Sequence, residues 1–285
     1  MDALKNGFVG AKVALGDTEF NKLSSFINTN YGIKLPPAKK VMLEGRLQKR
    51  LKATRLHSFS DYLDYVFSEE GKSEIIHMID QVSTNKTDFF REPAHFDFLN
   101  NHILPEHQKY SSRNPIKIWS SAASSGEEIY TIGFSIEEFN DNNNNRLDYS
   151  ILGTDISVEI LKKAVSAIYS EERIVNIPLE LKRKYFLKSK DQLKKTVRVI
   201  SQLRQKSKFQ RLNLMDNSYN VPDNFDVIFC RNVLIYFDKK TQEDVVRKQC
   251  MKLRKDGYFL LGHSESIMGL DLPLKQIQPT IYKKI

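Results

Sequence analysis

Over residues 1–84 the apolar positions recur at helical intervals. Phe20, Leu23, Phe26 and Ile27 share one helix face, and Leu43, Leu47 and Leu51 form a second stripe, each four residues from the last. Pro36 and Pro37 break the chain between the two. A third apolar segment begins at Ser60, placed as its N-cap, and runs to Phe67; a fourth spans Lys72 to Val82. The pattern predicts a small helical domain.

From residue 85 onward the spacing changes. Ile116–Ser120 reads as a short strand, followed by a turn of small residues, Ser121 to Gly126, and a helix from Glu127 to about Glu138. Asp141–Asn145 is a polar loop, Tyr149–Thr154 a second strand and Ser157–Ile168 a second helix. Phe225–Phe229 has the continuous apolar run of a buried strand, Thr241–Leu253 is helical, and Tyr258–Leu261 is another strand. Alternating strands and helices predict a doubly wound α/β sheet. Lys195–Ile200 breaks the rhythm as an extra strand, so residues 179–211 are read as a small inserted β subdomain.

In such sheets ligands bind at the carboxyl ends of the strands, which places the Ser121–Gly126 turn at the site. The turn has one glycine where the dinucleotide fingerprint has three, and no Gly-Lys-Ser/Thr follows it. Glu127 and Glu128 at the helix start would repel a phosphate and suit an ammonium group. Asp155, at the end of the second strand, is placed to accept hydrogen bonds from ribose hydroxyls. Its bland alternative is a helix N-cap, a job Ser157 could take instead. Together these features describe a site for a nucleoside cofactor without phosphates, and S-adenosylmethionine fits that description.

Charge adds a partner to the picture. The 285 residues carry a formal net charge of +9, unevenly spread. Residues 34–55 hold eight Lys/Arg against Glu44 alone, and residues 182–211 hold twelve against Asp191 alone. A charge run is usually a solvated face, but two such lopsided runs suggest an acidic partner. No stretch approaches the roughly 20 apolar residues of a membrane span, and the N-terminus lacks the apolar core of a secretory signal. Two cysteines, Cys230 and Cys250, exclude a disulfide framework, so the cytoplasm is the expected compartment. Cys230 reads as a small buried hydrophobe. Phe89 and Phe90 read as packing residues. His95, His102 and His263 match no metal-ligand spacing, so no metal is expected.

Several blocks narrow the substrate: Thr84-Asn-Lys-Thr-Asp-Phe-Phe-Arg-Glu92, Trp119–Glu128, Gly153-Thr-Asp155, Asn213-Leu214, Phe229-Cys-Arg-Asn-Val-Leu-Ile-Tyr-Phe237 and Gly262-His-Ser-Glu265. In this order, over nearly the whole chain, they resemble the CheR family of chemotaxis receptor methyltransferases. The resemblance implies a class I S-adenosylmethionine-dependent methyltransferase domain with an inserted β subdomain, preceded by a helical domain. It implies cofactor contacts from Asn85, Thr87, Arg91, Glu128, Asp155, Asn213, Leu214, Arg231 and Asn232. It further implies that the helix bearing Arg46, Lys49, Arg50 and Lys52 faces the methylated cytoplasmic helices of the receptor, whose glutamates suit a basic surface. The chain departs from the family in one respect. Members that grip a receptor's C-terminal peptide have glycine-bearing loops in the β subdomain, whereas Lys188–Lys195 has no glycine, which argues against tethering.

The implied reaction is attack of a glutamate carboxylate on the sulfonium methyl, leaving S-adenosylhomocysteine. That nucleophile is already ionised near neutral pH and needs no strong base. Tyr236 is the candidate to hydrogen-bond the incoming carboxylate, the alternative being a core tyrosine with a satisfied hydroxyl. Arg91 can pair bidentately with a carboxylate of cofactor or substrate. A nucleic-acid methyltransferase is the leading rival, but the Arg-Asn-Val-Leu-Ile-Tyr block is no platform for a flipped base, and no nucleic-acid partner is expected. A receptor adaptor without turnover is the non-enzymatic rival. The enzyme is expected to act as a monomer.

Overall fold

The computed structural model describes residues 12–111, 115–143 and 146–285. Most of the N-terminal stretch read for a signal, and Asn144 and Asn145 of the polar loop, lie outside them. The chain divides after Ser83 into two units.

Unit one is helical. Helix α1 (Asp17–Tyr31) buries Phe20, Leu23 and Ile27 and ends at Gly32, whose φ of 69° lets its N–H return to the Asn28 carbonyl. Helix α2 (Lys40–Thr54) buries Leu43, Leu47 and Leu51, each worth about 1.5–3 kcal/mol of transfer free energy. Helix α3 (Phe59–Val66) starts earlier than expected. Its N-cap is Ser58, which accepts from the Asp61 N–H, not Ser60. Phe59 is 2% exposed, and enclosing its ring draws the first turn upstream. Helix α4 (Glu74–Val82) buries Met78, Ile79 and Val82.

Unit two opens with α5 (Ala94–Phe98) and α6 (Leu104–Ser111). A seven-stranded sheet follows, built from β1 (Ile116–Ser120), β2 (Tyr149–Asp155), β6 (Ser207–Arg211), β7 (Phe225–Cys230), β8 (Leu253–Leu261), β9 (Leu274–Gln278) and β10 (Ile281–Lys284), in the order β6-β2-β1-β7-β8-β10-β9. The first five are parallel and β10 and β9 antiparallel. Helices α7 (Glu127–Asp141), α8 (Val158–Ser166), α10 (Ser201–Lys206) and α11 (Lys239–Lys252) lie in the connections. All six residues of β7 are buried, as a strand covered on both faces requires. The chain runs from β1 outward to β2 on one side and to β7 on the other, so the order reverses beside β1.

The expected insertion shifts in position. Its three-stranded antiparallel sheet comprises β3 (Ile168–Ser170), β4 (Phe186–Lys188) and β5 (Thr196–Val199), in the order β3-β5-β4, with α9 (Leu179–Tyr185) between β3 and β4. The subdomain therefore begins at residue 168, taking the end of the expected second helix, and β6 belongs to the main sheet. Ile168 and Tyr169 are β-branched and aromatic and favour a strand, and Ala167 in the left-handed region (φ 53°) ends α8 just before them.

Candidate active site

The turn after β1 is tied down by backbone bonds. Ser121 N–H donates to the Phe229 carbonyl and Ala123 N–H to Thr154, drawing the ends of β7 and β2 together around it. Gly126 has φ 94°, and a Cβ there would meet that of Ala164 at 3.0 Å, so glycine is required on both counts. At the end of β2, Asp155 is 8% exposed. It accepts from the N–H groups of Ser124 and Ser157 at 2.9 and 3.0 Å. Ser157 is itself the cap of α8, accepting from Ile160 N–H, so Asp155 is not the cap. Beyond β6, Leu212 N–H donates to the Asp155 carbonyl. Asn213 turns the chain by accepting from Met215 N–H. The Leu214 carbonyl accepts from Tyr219 and Lys248.

The two glutamates at the start of α7 diverge. Glu128 accepts from Ser120 at 2.7 Å and pairs with Arg231 at 2.9 Å. Glu127 turns away and is 1% exposed. It is met by Ser125 and by Arg173, which also donates to the Thr87 carbonyl at 2.5 Å. Arg173 thus supports the segment carrying Asn85 and Thr87; it stood unnoticed in the sequence because its partners lie far from it along the chain. The Ser124 hydroxyl donates to the Asn85 carbonyl, drawing the same segment to the turn.

On the other side, Arg231 leaves the end of β7 with its side chain 2% exposed, between Glu92 at 3.0 Å and Glu128. It also donates to the Arg91 carbonyl and lies over the Phe96 ring. The Asn232 side chain donates to Glu92 at 3.2 Å. Burial alone would raise the Glu92 carboxyl, but the Arg231 charge and the Asn232 and Arg231 hydrogen bonds hold it below the usual carboxylate range. Phe90, Glu92 and Asn232 all have positive φ (54°, 58° and 58°), a backbone strain that clusters at functional sites. Glu265, 6% exposed, accepts four backbone N–H groups, from Asn232, Val233, Leu234 and Gly262, at 2.7–2.8 Å. Arg91 donates to the Lys86 carbonyl at 3.0 Å. Tyr236 is half-buried on a short 3-10 turn, Leu234–Tyr236.

Two of the three singled-out histidines meet here. His95 and His263 pack edge to face, 5.2 Å between centroids, with Glu92 beside them, while His102 stacks on Phe98 instead. Burial first, then the Arg231 charge, pushes the His95 imidazole down to about 4, so it is neutral near pH 7. Glu92 also accepts from Arg231 and Asn232, and His95 Nε2 meets the Thr280 hydroxyl at 2.8 Å. Cys230 is wholly buried and its thiol is pushed up by burial, which excludes a nucleophile. Phe89 packs against Phe134, Tyr169 and Phe186. With Phe90, Arg173, Ile177 and Leu181 it also lines a cavity of about 700 Å³.

The four residues expected on a partner-facing helix behave in two ways. Arg50 forms a bidentate pair with buried Glu74 at 2.6–2.7 Å, and Tyr62 donates to the same carboxylate. Arg46 donates to the carbonyls of Gln81, Val82 and Ser83 at the end of α4. Lys49 and Lys52 are exposed.

The donor set suits S-adenosylmethionine. Asp155 and Glu128 flank the turn, and Arg231, the buried arginine among the described residues, is neutralised by two carboxylates, which suits a cofactor without phosphates. Residues 85–283 match the family described as the CheR methyltransferase, SAM binding domain, and residues 18–83 match the CheR methyltransferase, all-alpha domain. A chemotaxis protein methyltransferase of Borreliella burgdorferi is 43% identical over 93% of this chain and 94% of its own. One of Salmonella typhimurium is 35% identical over 95% of this chain and 91% of its own.

Proposed function

The chain belongs to the CheR methyltransferase family, and from that premise we propose that it esterifies glutamate side chains on the cytoplasmic helices of chemotaxis receptors. It is an S-adenosylmethionine-dependent methyltransferase. No described helix is long and apolar enough to cross a membrane. The observation that carries the reading is a pair of features at the carboxyl edge of the sheet: Asp155 at the end of β2, held on the turn after β1, and Arg231 after β7, paired with Glu128, which accepts from Ser120 at the end of β1.

The bound cofactor supplies an electrophilic sulfonium methyl. Asp155 holds the ribose hydroxyls, and Glu128 with Arg231 fixes the polar end of the site. Asn85, Thr87, Asn213, Leu214 and Asn232 complete the lining. Arg91 holds a carboxylate, that of the cofactor or of the acceptor. The hydroxyl of the half-buried Tyr236 orients the acceptor. With the cofactor held there, a receptor glutamate carboxylate, already ionised near neutral pH, would be the acceptor, so no residue of the chain would need to remove a proton. Rate enhancement comes from alignment and exclusion of water. In unit one, Lys49 and Lys52 are the cations of α2 left for an acidic receptor helix, while Arg46 and Arg50 hold the helix to α4.

The test is transfer of labelled methyl from S-adenosylmethionine to chemoreceptor-containing membranes, followed by alkaline release of methanol. Base-labile label on receptor glutamates is expected. Label on nucleic acid would replace this reading with the nucleic-acid enzyme. No transfer, with S-adenosylhomocysteine still bound, would replace it with the adaptor.

A further inference from the structure

We propose that Glu265 is a positioning residue for methyl transfer: its carboxylate splices the loop after β7 to the loop after β8 and thereby sets Arg231, Asn232 and Tyr236. This rests on the reading above for what those three residues do, but the splice itself stands on geometry.

Strands β7 and β8 are parallel neighbours whose last residues, Cys230 and Leu261, face each other in register. Their loops leave the same edge of the sheet. The β7 loop turns at once through Asn232 at φ 58° and Val233 at φ −126°, ψ −35°, into the 3-10 turn Leu234–Tyr236. That path leaves three successive N–H groups, of residues 232–234, without a carbonyl from their own segment. Buried backbone donors must be satisfied. One Glu265 oxygen accepts from Val233 and Leu234, and the other from Asn232 and from Gly262 of the β8 loop. One carboxylate therefore closes the β7 turn and joins it to the next loop.

Gly262 shows how tight the join is. A Cβ there would lie 2.5 Å from the Asn232 side-chain nitrogen, 2.9 Å from its backbone nitrogen and 2.9 Å from Glu265 Oε2. Two of these are fixed by the splice, so any side chain at 262 forces the loops apart. Asn232 also reaches Glu92, so the order set by Glu265 extends to the segment carrying Asn85, Thr87 and Arg91. Glu265 does not touch the reacting groups. It is 6% exposed and both its oxygens are occupied by backbone donors, which makes it a positioning residue rather than a catalytic one.

The geometry explains why the residue is an acid. Glutamine has the same shape but one end that donates, so two N–H groups would face an NH₂ instead of an acceptor. Aspartate keeps both oxygens and the charge but is one methylene short of bridging the loops. A loop displaced by about 1 Å can cost on the order of 10²-fold in rate.

Glu265→Gln, Glu265→Asp and Gly262→Ala are compared with Asn140→Ala. Asn140 bridges the N–H and carbonyl of Leu147 away from these loops, so its loss is a purely structural defect. Each protein is assayed well below its own unfolding midpoint, for kcat on receptor membranes and, by calorimetry, for Kd of S-adenosylhomocysteine. Glu265→Gln and Gly262→Ala are expected to lower kcat on the order of 10²-fold and to weaken S-adenosylhomocysteine about 10-fold through Asn232. Glu265→Asp is expected to recover part of both losses, and Asn140→Ala to lower the midpoint alone. Should Glu265→Gln lower the midpoint as Asn140→Ala does while kcat and Kd stay at wild-type values, the positioning role is overturned. Should wild type methylate no receptor, the functional reading falls, yet the S-adenosylhomocysteine arm still decides the splice.

Discussion

The two halves of the site are built on different principles. At the ends of β1, β2 and β6 the parts are held by backbone bonds: Ser121 to Phe229, Ala123 to Thr154, and Leu212 to Asp155. One carboxylate, Asp155, completes that half. At the ends of β7 and β8 the parts are held by buried charge, with Glu92, Glu128 and Arg231 in one cluster and Glu265 in another. The first half is preformed by the sheet, with Gly126 and Asp155 as its demanding positions. The second depends on each charged member and on pH.

The sharpest way to break this contrast is to remove the central cation. Arg231→Leu leaves the half-buried Glu92 and Glu128 facing each other without their partner, and breaking a buried cluster costs up to about 3–5 kcal/mol. Ser124→Ala, on the backbone-held side, removes one hydrogen bond to Asn85, worth about 1 kcal/mol. Urea unfolding of both variants checks the pair. Equal losses would mean that the charge cluster is no more demanding than the turn.

The pH response should separate the halves next. The unfolded chain protonates His95 near the ordinary 6.5, whereas the folded chain refuses that proton until about 4. The folded-state pKa is lowered, so the unfolded state binds more protons between those values and stability falls as pH drops through this window. A shift of that size corresponds to about 3 kcal/mol at most. Glu92, held low by Arg231, adds a loss in the same direction at lower pH. The difference in unfolding free energy between wild type and His95→Asn should therefore shrink from pH 7 to pH 4. A difference that stays constant would show that the imidazole titrates normally.

Asp155 supplies the complementary signature. Asp155→Asn keeps one acceptor for the backbone N–H groups but loses charge-assisted bonds worth about 1.5–3 kcal/mol. Calorimetric Kd for S-adenosylmethionine should rise about 10- to 100-fold, while kcat at saturating cofactor changes little. A drop in kcat with unchanged Kd would assign Asp155 to the other half.

These two styles of construction also explain what was legible in the sequence. The apolar periodicities of β7 and α2, the small-residue turn and Asp155 at a strand end are local patterns, and each could be read where it stands. The carboxylates that organise the second half pair across long separations: Glu92 with Arg231, Glu265 with residues 232–234. No spacing rule connects them. Glu265 was visible only as the last letter of a motif, without a role. The basic helix shows the same limit. Eight cations over residues 34–55 read as one surface, yet Arg46 and Arg50 turn inward because the α4 carbonyl end and Glu74 fall within reach of their long side chains. The subdomain's start was missed because the helix was carried on to Ile168, whereas Ala167, in the left-handed region, ends α8 before it, a backbone turn that the side-chain pattern does not show.

The smallest expected effect tests the boundary of the charged half. Tyr236 closes the turn that Glu265 holds, and it is half-buried. It lies four and five residues after Asn232 and Arg231 along the chain, and its half-exposed hydroxyl can be reached by a carboxylate acceptor. Tyr236→Phe removes one hydrogen bond made to a charged group, so kcat on receptor membranes should fall about 10-fold, with the unfolding midpoint and cofactor Kd unchanged. Full kcat with unchanged KM would show that orientation of the acceptor rests on Arg91 alone. The rigid placement provided by Glu265 would then serve the cofactor's side of the reaction, not the acceptor's.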